Sequence, residues 1–410
     1  MLRAAAALIA VAVVGLIVIG TRDSGDSVRT SDTTVVTSAA AATPSTSPGS
    51  ATPEAIDGWR RLNDLPVTRP GLVVTAAAAD DEVVVVAVCD PAAAGLGREG
   101  ATSVWWATRH DLVWETAVVA STERCLKQIV ATPFGFFAAG PGVGMRSDDG
   151  RDWRESAIGD DPTAATFGIH AVFPAPDDSR VSVLQLQPAP AESTVARMWT
   201  TTDGVDWQVV TDESLQEFDS IGLAGVIPGG DGLLAYGAAP GGEFVPTAAV
   251  FTSRDGVRWR RVTSMSQDYE NKSITDIVRV DTGFVAVGGD FFSTGLMTAW
   301  TSPDGITWTR APSSSDPIDP STAFMAAERV TSTGGKLWAV GTDYDAARDP
   351  NEIAALWVSD DGRDWNRVEI DADPGIVPFE IVSVADLTLA AWPPDPRLSD
   401  EPLQLFTKPS

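Results

Sequence analysis

Short apolar runs separated by turn residues recur from residue 57 to residue 410, and no stretch of this region sustains a helical period. The run Gly283 to Gly288 (Gly-Phe-Val-Ala-Val-Gly) has related copies at residues 135–140, 232–237 and 336–341. Apolar runs of this length, bounded by Gly, Asp and Ser, are typical of buried β-strands. The pattern therefore predicts an all-β domain.

A second phrase follows each of these runs and is clearest at Thr301 to Trp308 (Thr-Ser-Pro-Asp-Gly-Ile-Thr-Trp). Asp-Gly is a strong hairpin signal because Gly adopts positive φ freely and the Asp carboxylate accepts backbone N–H groups of the turn. The Ser or Thr two residues before the Asp can add a side-chain bond, and the Trp three residues after the Gly can cover the turn. The predicted turn residues are Ser147, Asp149, Gly150, Trp153; Thr201, Asp203, Gly204, Trp207; Ser253, Asp255, Gly256, Trp259; Ser302, Asp304, Gly305, Trp308; and Ser359, Asp361, Gly362, Trp365.

The closing tryptophans of the five phrases are 54, 52, 49 and 57 residues apart, and residues 108–114 form a sixth, degenerate copy. Each period contains four apolar segments, which we name strands A to D, with the phrase at the turn from C to D. Serial four-stranded units of about fifty residues are the signature of a β-propeller.

The two ends of this region complete each other. Residues 380–407 supply strands A, B and C of a last unit, whereas Asp57 to Leu62 resembles a strand D. We therefore predict a seven-bladed propeller of four-stranded antiparallel blades, closed by the N-terminal strand. The alternative is six blades, because the interval before Trp153 is short.

The phrase resembles the Asp-box, also called the bacterial neuraminidase repeat, in a form one residue shorter than Ser-x-Asp-x-Gly-x-Thr-Trp. The resemblance extends over most of residues 57–410. Propellers of this family include exo-α-sialidases, other glycoside hydrolases, sortilin-type receptor domains and a photosystem assembly factor. The resemblance implies that the box aspartates form turns on the face opposite the usual active site. It makes them turn formers and not catalytic acids or metal ligands.

The catalytic set of a sialidase would comprise an arginine triad, a Tyr nucleophile with a Glu, and an Asp acid/base. The Arg-Ile-Pro signature has no match better than Thr68-Arg69-Pro70, and the only tyrosines are Tyr236, Tyr269 and Tyr344. Arg279 and Arg329 near the ends of two A strands are the candidate ligand-facing residues. No catalytic residue, cofactor-binding residue or metal ligand is assigned.

The N-terminus differs from the rest of the chain. Residues 4–20 form an uninterrupted run of small and apolar residues, about 25 Å long as a helix. We expect residues 1–20 to be an uncleaved membrane anchor, with a cleaved signal peptide as the alternative. Residues 21–56 are rich in Ser, Thr, Ala and Pro and contain no aromatic residue, so we expect a disordered linker. The propeller at residues 57–410 is then extracytoplasmic, or secreted if the leader is cleaved.

Composition narrows the function classes. The formal charge of −27 makes binding to nucleic acid or to an anionic membrane surface improbable. The two cysteines, Cys89 and Cys125, are expected to form a disulfide in an exported domain. Only two histidines, His110 and His170, are available for catalysis or metal binding.

Strand alternation places the A–B and C–D turns on one face and the longer B–C and D–A loops on the other, where function usually resides. These loops are rich in carboxylates but lack the spacing of a calcium motif, so no cofactor is expected, with Ca²⁺ as the alternative. We expect a monomeric, non-catalytic scaffold that binds a protein or glycan of the cell envelope through these loops and contacts the membrane only through its N-terminal helix. The alternative is a glycoside hydrolase of exo-α-sialidase type.

Overall fold

The computed structural model describes residues 60–62, 64–67, 72–90, 101–119, 125–140, 143–158, 169–189, 193–219, 221–240, 246–262, 272–290, 297–312, 323–345, 349–368, 380–384, 387–392 and 404–409. The expected anchor at residues 1–20 and the expected linker at residues 21–56 lie outside this part of the chain, as does Tyr269. Among the described residues there is no helix with the length and apolar character needed to span a bilayer.

Most of the described chain is β-strand, as the apolar runs predicted. In repeats 1 to 3 the strands are β2 (Val73–Ala79), β3 (Val83–Asp90), β4 (Ala101–Thr108) and β5 (Glu115–Thr116); β7 (Gln128–Thr132), β8 (Gly135–Gly140), β9 (Val143–Ser147) and β10 (Asp152–Ala157); and β11 (Ile169–Pro174), β12 (Val181–Ala189), β13 (Ser193–Thr201) and β14 (Gln208–Val210). A short extra strand, β6 (Val118–Val119), pairs in parallel with β10.

The later repeats follow the same order. Their strands are β15 (Gly222–Gly229), β16 (Gly232–Pro240), β17 (Pro246–Ser253) and β18 (Arg260–Arg261) in repeat 4; β19 (Lys272–Val280), β20 (Gly283–Asp290), β21 (Met297–Ser302) and β22 (Thr309–Arg310) in repeat 5; β23 (Ala323–Thr333), β24 (Lys336–Asp345), β25 (Asp349–Ser359) and β26 (Asn366–Arg367) in repeat 6; and β27 (Glu380–Val384), β28 (Leu387–Trp392), β29 (Gln404–Pro409) and β1 (Arg60–Arg61) in repeat 7.

Hydrogen bonding divides these strands into six sheets and not into seven separate blades. Five sheets have four or five strands, and the sixth has eight. In the eight-stranded sheet, repeats 5 and 6 are joined by one antiparallel pair between Gly289 and Ala326. Counted by hydrogen-bonded sheets, the propeller therefore has six blades, which was the alternative to the predicted seven. The sequence pattern did not show the pairing that joins the two repeats.

The repeats are arranged around a ring. The innermost strands contact one another in the order β2, β7, β11, β15, β19, β23 and β27, and β27 contacts β2. The closing strand lies where the chain ends predicted it, because β1 pairs with β29 through Arg60–Thr407 and Arg61–Phe406. The backbone N–H of Leu62 extends this pairing by donating to Leu405 O at 2.8 Å.

The apolar core lies between neighbouring repeats. The large residue of each strand C is usually buried there, as with Trp300 and Trp357, which are at most 1% exposed. The core between repeats 3 and 4 also contains Phe218 from a 3₁₀ helix, Glu213–Phe218, that follows β14. Repeat 2 is trimmed, because only residues 141 and 142 separate β8 from β9. This accounts for the short interval before Trp153.

Candidate functional site

The five phrase turns share one set of hydrogen bonds. In the turn at residues 302–308 the carboxylate of Asp304 accepts the backbone N–H groups of Ile306 at 2.8 Å and of Thr307 at 2.6 Å. The hydroxyl of Ser302 donates to the same carboxylate at 3.2 Å and accepts the N–H of Gly305 at 2.8 Å. Equivalent bonds to the aspartate and its Ser or Thr occur in the turns that contain Asp149, Asp203, Asp255 and Asp361.

These bonds hold the turn aspartates in their ionised form. The backbone amide of Thr307 keeps the pKa of Asp304 below its ordinary value, even though burial opposes the shift. The amides of Asp206 and Val205 do the same for the pKa of Asp203. A carboxylate that already accepts two backbone N–H groups and a hydroxyl is a turn element, and a general acid would need a raised pKa instead.

The glycine of each turn packs against the preceding repeat. Gly305 has φ of +73°, and a Cβ built on it would lie 2.7 Å from Leu234 Cδ1 in repeat 4. Gly362 would meet Val285 in repeat 5 at 2.6 Å, and Gly150 would meet Val85 in repeat 1 at 2.7 Å. The phrase therefore closes a hairpin and also packs that hairpin against the preceding repeat.

The tryptophan of the phrase covers the turn in three of the five copies by a direct hydrogen bond. Trp153, Trp308 and Trp365 donate their indole N–H to the glycine carbonyl of their own turn at 2.9 to 3.1 Å. Trp207 contacts Phe137 of repeat 2 edge to face, with ring centroids 5.2 Å apart. The degenerate copy at residues 108–114 has a different turn, because its positive φ falls on Leu112 and not on the residue that replaces Gly.

A partly buried polar cluster lies between repeats 4, 5 and 6 and is the candidate site of this protein. Tyr236 of β16 is 5% exposed and donates its hydroxyl to Asp276 Oδ1 of β19 at 2.8 Å. Asp276 also accepts the backbone N–H of Ile277 at Oδ1 and the backbone N–H of Val330 in β23 at Oδ2, both at 2.9 Å. Burial raises the pKa of Asp276, and the positive charge of Arg329 opposes this rise.

The electrostatics of this cluster follow from burial. Burial raises the pKa of Asp276, although Arg329 and the amide of Val330 oppose the rise. Burial, together with the charge of Asp276, raises the pKa of Tyr236 well above its ordinary value. The phenol is therefore kept protonated as a hydrogen-bond donor, and a phenolate nucleophile is disfavoured at neutral pH.

The cluster fits because repeat 4 has glycine where repeat 5 has Asp276. A Cβ at Gly225 would lie 2.4 Å from the hydroxyl of Tyr236, so only glycine leaves room for the ring. Asp276 and Gly225 were not among the residues predicted from the sequence. A detectable signal was the carboxylate at position 276 between the apolar residues Ile274 and Ile277 of strand β19, since a buried charge needs partners.

The two candidate arginines differ in position. Arg279 pairs with Phe284 near the A–B turn of repeat 5 and is exposed. Arg329 pairs with Val340 in the middle of β23, is half-buried and lies within the cluster. Their places in strands β19 and β23 are therefore not equivalent, and the structure brings only Arg329 to Tyr236 and Asp276.

Other seams between repeats carry different polar bridges. The Gln128 side chain of repeat 2 donates to His170 O at 3.1 Å and accepts the N–H of Val172 in repeat 3. Thr275 of repeat 5 donates to Ala327 O of repeat 6 at 2.5 Å. Burial lowers the pKa of His170, so its imidazole is neutral at neutral pH. The polar groups nearest the ring centre thus fasten repeats together.

The predicted disulfide is confirmed. Cys89, the second-to-last residue of β3, is bonded to Cys125, which precedes β7. Both residues are at most 4% exposed. Leu126 N–H donates to Thr102 Oγ1 at 2.8 Å, and Lys127 N–H donates to Ala139 O at 2.8 Å. The disulfide therefore ties the end of strand B in repeat 1 to the segment that precedes strand A in repeat 2.

The loop face is only partly described. The A–B and C–D turns share a face, because a Cβ on Gly283 of an A–B turn would lie 2.1 Å from Ser302 O of a C–D turn. The loops at 91–100, 190–192, 241–245, 291–296 and 346–348, and the D–A connections at 159–168, 263–271, 313–322 and 369–379, lie outside the described residues. The D–A connection after β14 runs beside the next repeat, where Asp212 Oδ2 lies 3.7 Å from Arg258 Nε. In the described part of the chain, no three His, Cys, Asp or Glu side chains are placed to hold a metal ion.

Strand order, ring closure and radial packing define this protein as a β-propeller. No family model matches the sequence, and no curated protein is similar to it. Among solved structures, the Penicillium chrysogenum α-L-arabinanase complexed with arabinobiose is 8% identical, with 85% of this chain and 98% of that chain covered and a TM-score of 0.42. The β-propeller domain of the Pyrococcus furiosus trilobed protease is 9% identical, with coverage of 83% and 96% and a TM-score of 0.45.

A third similar structure is the β-propeller domain of Myceliophteria thermophila Cps50 (Swd1), at 11% identity, with 86% and 99% of the two chains covered and a TM-score of 0.46. The three proteins differ in function by their own descriptions. Similarity at this level concerns the fold alone, so no substrate or partner is transferred from them to this chain.

Proposed function

We propose that this protein is a non-catalytic scaffold of the cell envelope, an Asp-box propeller that binds a protein or glycan through its B–C and D–A loops. The observation that carries the proposal is that Tyr236 and Asp276 form hydrogen bonds that hold neighbouring repeats together. The buried Tyr236 hydroxyl donates to Asp276, and both carboxylate oxygens of Asp276 accept hydrogen bonds. A nucleophile and an acid/base must instead face a substrate.

A loop exchange tests the binding role in the full-length protein. The segment 241–245 follows Pro240 and precedes Pro246, which face each other as the last pair of β16 and β17. Replacing this segment, and separately 291–296, with Asn-Gly gives hairpins with shortened loops. The matched control is Val205→Ser with Ile306→Ser, because both residues are exposed on the opposite face.

Each detergent-solubilised protein would be used to recover partners from envelope extracts and to probe a glycan array. We expect the loop variants to lose at least one ligand that the wild type and the control retain. Equal recovery by all four proteins would contradict binding through these loops.

A glycoside hydrolase is the second candidate, favoured by the proximity of Arg329 to a tyrosine–aspartate pair. Fluorogenic glycosides, including sialosides, test it directly. Turnover by the wild type that is lost in Tyr236→Phe, while the thermal midpoint stays within a few degrees, would replace the scaffold proposal with the enzymatic one. The proposal predicts no turnover with any of these substrates.

We also propose that the protein is anchored by residues 1–20 with its propeller outside the cytoplasm, or secreted if that segment is cleaved. The Cys89–Cys125 disulfide supports an oxidising compartment. Fractionation of cells that produce a C-terminally tagged chain, combined with protease protection of the tag, tests this placement. Recovery of the tagged chain in the cytosol with reduced cysteines would contradict it.

Finally, we propose that the ring has seven blades, one for each repeat. The support is that repeats 5 and 6 each have four strands and are joined by one residue pair only. An experimental density map viewed along the ring axis tests the count, with seven radial sheets expected and six contradicting it.

A further inference from the structure

Repeat 3 carries much of the exposed apolar surface of the ring. Among the described residues, six large apolar side chains are exposed, and three of them, Val195, Val205 and Val209, belong to repeat 3. Single exposed apolar residues are normal on a protein surface, but their concentration in one repeat indicates an interaction surface. Val209 lies in β14, the outermost strand of repeat 3, and is 59% exposed.

β14 also lacks the charged residues that protect the other outermost strands. Its residues are Gln208, Val209 and Val210, whereas the outermost strand of every other repeat contains at least one Arg, Asp or Glu. Charged side chains on an edge strand oppose its pairing with another chain. In the described part of the chain, β14 pairs with β13 on one side and with no strand on the other. It is therefore an unprotected sheet edge.

Repeat 2 shows how such an edge is covered. Its strand D, β10, has the short strand β6 on its outer side, through the parallel pairs Asp152–Val118 and Trp153–Val119. Val119 packs against the apolar cluster that contains Trp153, and Trp153 is 3% exposed. Trp207 has the same place in the phrase of repeat 3 but is only half-buried. Among the described strands, none gives the edge beside Trp207 the cover that β6 gives in repeat 2.

Two exposed cations lie on the side of β14 that faces repeat 2. Arg197 alternates along β13 with Trp199, which pairs with Val209, so Arg197 and Val209 share one face of the sheet. Arg154 of β10 pairs with Arg146, whose guanidinium donates to a backbone carbonyl of repeat 3, so Arg154 faces the same edge from repeat 2. Neither Arg154 nor Arg197 forms an ion pair within the described part of the chain.

We propose that β14 binds an extended apolar segment of a partner protein, flanked by acidic residues, as an added outer strand. The backbone of an edge strand supplies the hydrogen bonds in this mode of recognition, and Trp207 and Val209 supply an apolar surface for alternate side chains of the added strand. The exposed carboxylate of Asp206 offsets only one of the two arginine charges, so acidic flanks are favoured over basic ones.

Two other occupants fit this edge less well. A second copy of the chain would bring together two proteins that each carry a formal charge of −27, and their repulsion opposes a dimer joined at its edges. The connection at residues 159–168 leads from β10 to β11, but its sequence, Gly-Asp-Asp-Pro-Thr-Ala-Ala-Thr-Phe-Gly, contains Pro and has no adjacent pair like the valines of β6. The inference concerns the outer edge of repeat 3 and does not depend on the loop-face ligand proposed above.

The test uses a fluorescein-labelled peptide with the sequence of residues 115–123, Glu-Thr-Ala-Val-Val-Ala-Ser-Thr-Glu, which includes β6 between two acidic ends. Its binding to the full-length protein in neutral detergent is followed by fluorescence anisotropy. The peptide does not displace β6 itself, because the tether gives β6 a high effective concentration. A second peptide carries Val119→Pro, which removes a backbone N–H that strand pairing needs.

The variant is Val209→Lys, which places a charge on the exposed edge. The matched control is Val113→Lys, because Val113 is 63% exposed in repeat 1. We expect Val209→Lys to bind the peptide at least about tenfold more weakly than wild type, and the control to bind it like wild type. The Val119→Pro peptide should bind wild type as weakly as the unchanged peptide binds Val209→Lys.

No binding of the peptide by wild type, or equal binding by wild type and Val209→Lys, would overturn the proposal. So would a wild type that sediments as a dimer while Val209→Lys is a monomer, since the occupant is then a second copy. Binding that appears only after residues 159–168 are replaced by Gly and Ser would assign the edge to that connection instead. The variants with shortened loops should bind the peptide like wild type, so failure of the loop-face proposal leaves this result unchanged.

Discussion

Gly305 combines two constraints on one residue, a backbone with φ of +73° and contact with Leu234 of the preceding repeat. Gly334 has a similar φ of +59° but no heavy atom within 4 Å of an added Cβ. Comparing substitutions at these two glycines therefore separates the free-energy cost of the turn conformation from the cost of packing the turn against the preceding repeat.

We expect Gly305→Ala to lower the free energy of unfolding by about 2–4 kcal/mol, because positive φ and overpacking both contribute. Gly334→Ala is expected to lose only the conformational part, about 1–2 kcal/mol. Urea unfolding followed by tryptophan fluorescence gives both values. Equal losses would show that contact with repeat 4 contributes nothing.

The charged residues make opposing contributions to the pH dependence of stability. The pKa of Asp304 is lowered in the folded protein, so its contribution is present above the unfolded pKa of about 3.9 and is lost as pH falls through the folded pKa. The pKa of Asp276 is raised by burial, so its contribution is present below about 3.9 and is lost as pH rises through the folded pKa.

We therefore expect Asp304→Asn to flatten the loss of stability between pH 5 and pH 3, because one carboxylate with a lowered pKa is removed. Thermal midpoints measured at half-unit pH steps check this. Asp148→Asn is the control, since Asp148 is exposed and adjacent to the turn aspartate of repeat 2. A flattening of the same size in the control would contradict the assignment to the turn.

At the scale of single elements, the outermost strand of most repeats is short, and one junction between repeats is covalent. Strand D contributes two residues in five of the seven repeats. The connection between repeats 1 and 2 is reinforced by Cys89–Cys125, which closes a loop of 36 residues.

We expect Cys89→Ala with Cys125→Ala to lower the free energy of unfolding by about 2–4 kcal/mol, mainly by freeing the unfolded chain. The thermal midpoint of the double variant should no longer respond to reductant, whereas that of wild type should fall. Cys125→Ala alone, which leaves one buried thiol, provides the comparison. A wild-type midpoint that reductant does not change would contradict a stabilising role.

Sequence patterns predicted the strands well because each strand is short, apolar and bounded by Gly or Asp, and these features act locally. The closure of β1 on β29 was also predictable, since an incomplete last repeat needs a strand D. The pairing of Gly289 with Ala326 and the cluster at Asp276 were not, because both depend on which repeats become neighbours in space. Arg279 and Arg329 were judged equivalent, but Arg329 pairs with Val340 at the place where Asp276 pairs with Val287, so the equivalent of Arg329 in β19 is Asp276 and lies three residues before Arg279.

At the scale of the whole molecule, a single short strand holds the ends of the chain together. Leu62 is 9% exposed and packs with Leu72, Leu405 and Trp105 at the junction of repeats 7 and 1. A ring held at this point should open when the strand is removed, although every other repeat remains complete.

We expect a chain that begins at residue 63 to have a lower thermal midpoint and faster cleavage by trypsin than a chain that begins at residue 57. Leu62→Ala in the longer chain should cost about 2–4 kcal/mol because it empties a buried site. Limited proteolysis and size-exclusion chromatography measure both effects. Identical behaviour of the two chains would show that β1 does not close the ring.

The polar bridges at the seams have a consequence for how the chain reaches its folded state. Repeats of similar shape can dock in the wrong order, a hazard of repeat proteins. Here the junctions of repeat 5 are specific to repeats 4 and 6, since Asp276 needs the hydroxyl of Tyr236 on one side and the amide of Val330 on the other. A misplaced repeat would bury Asp276 without these donors, and such a state is costly. These contacts thus help to fix the order of repeats 4, 5 and 6, so transplanting repeat 5 into another position should fail unless its two neighbours move with it.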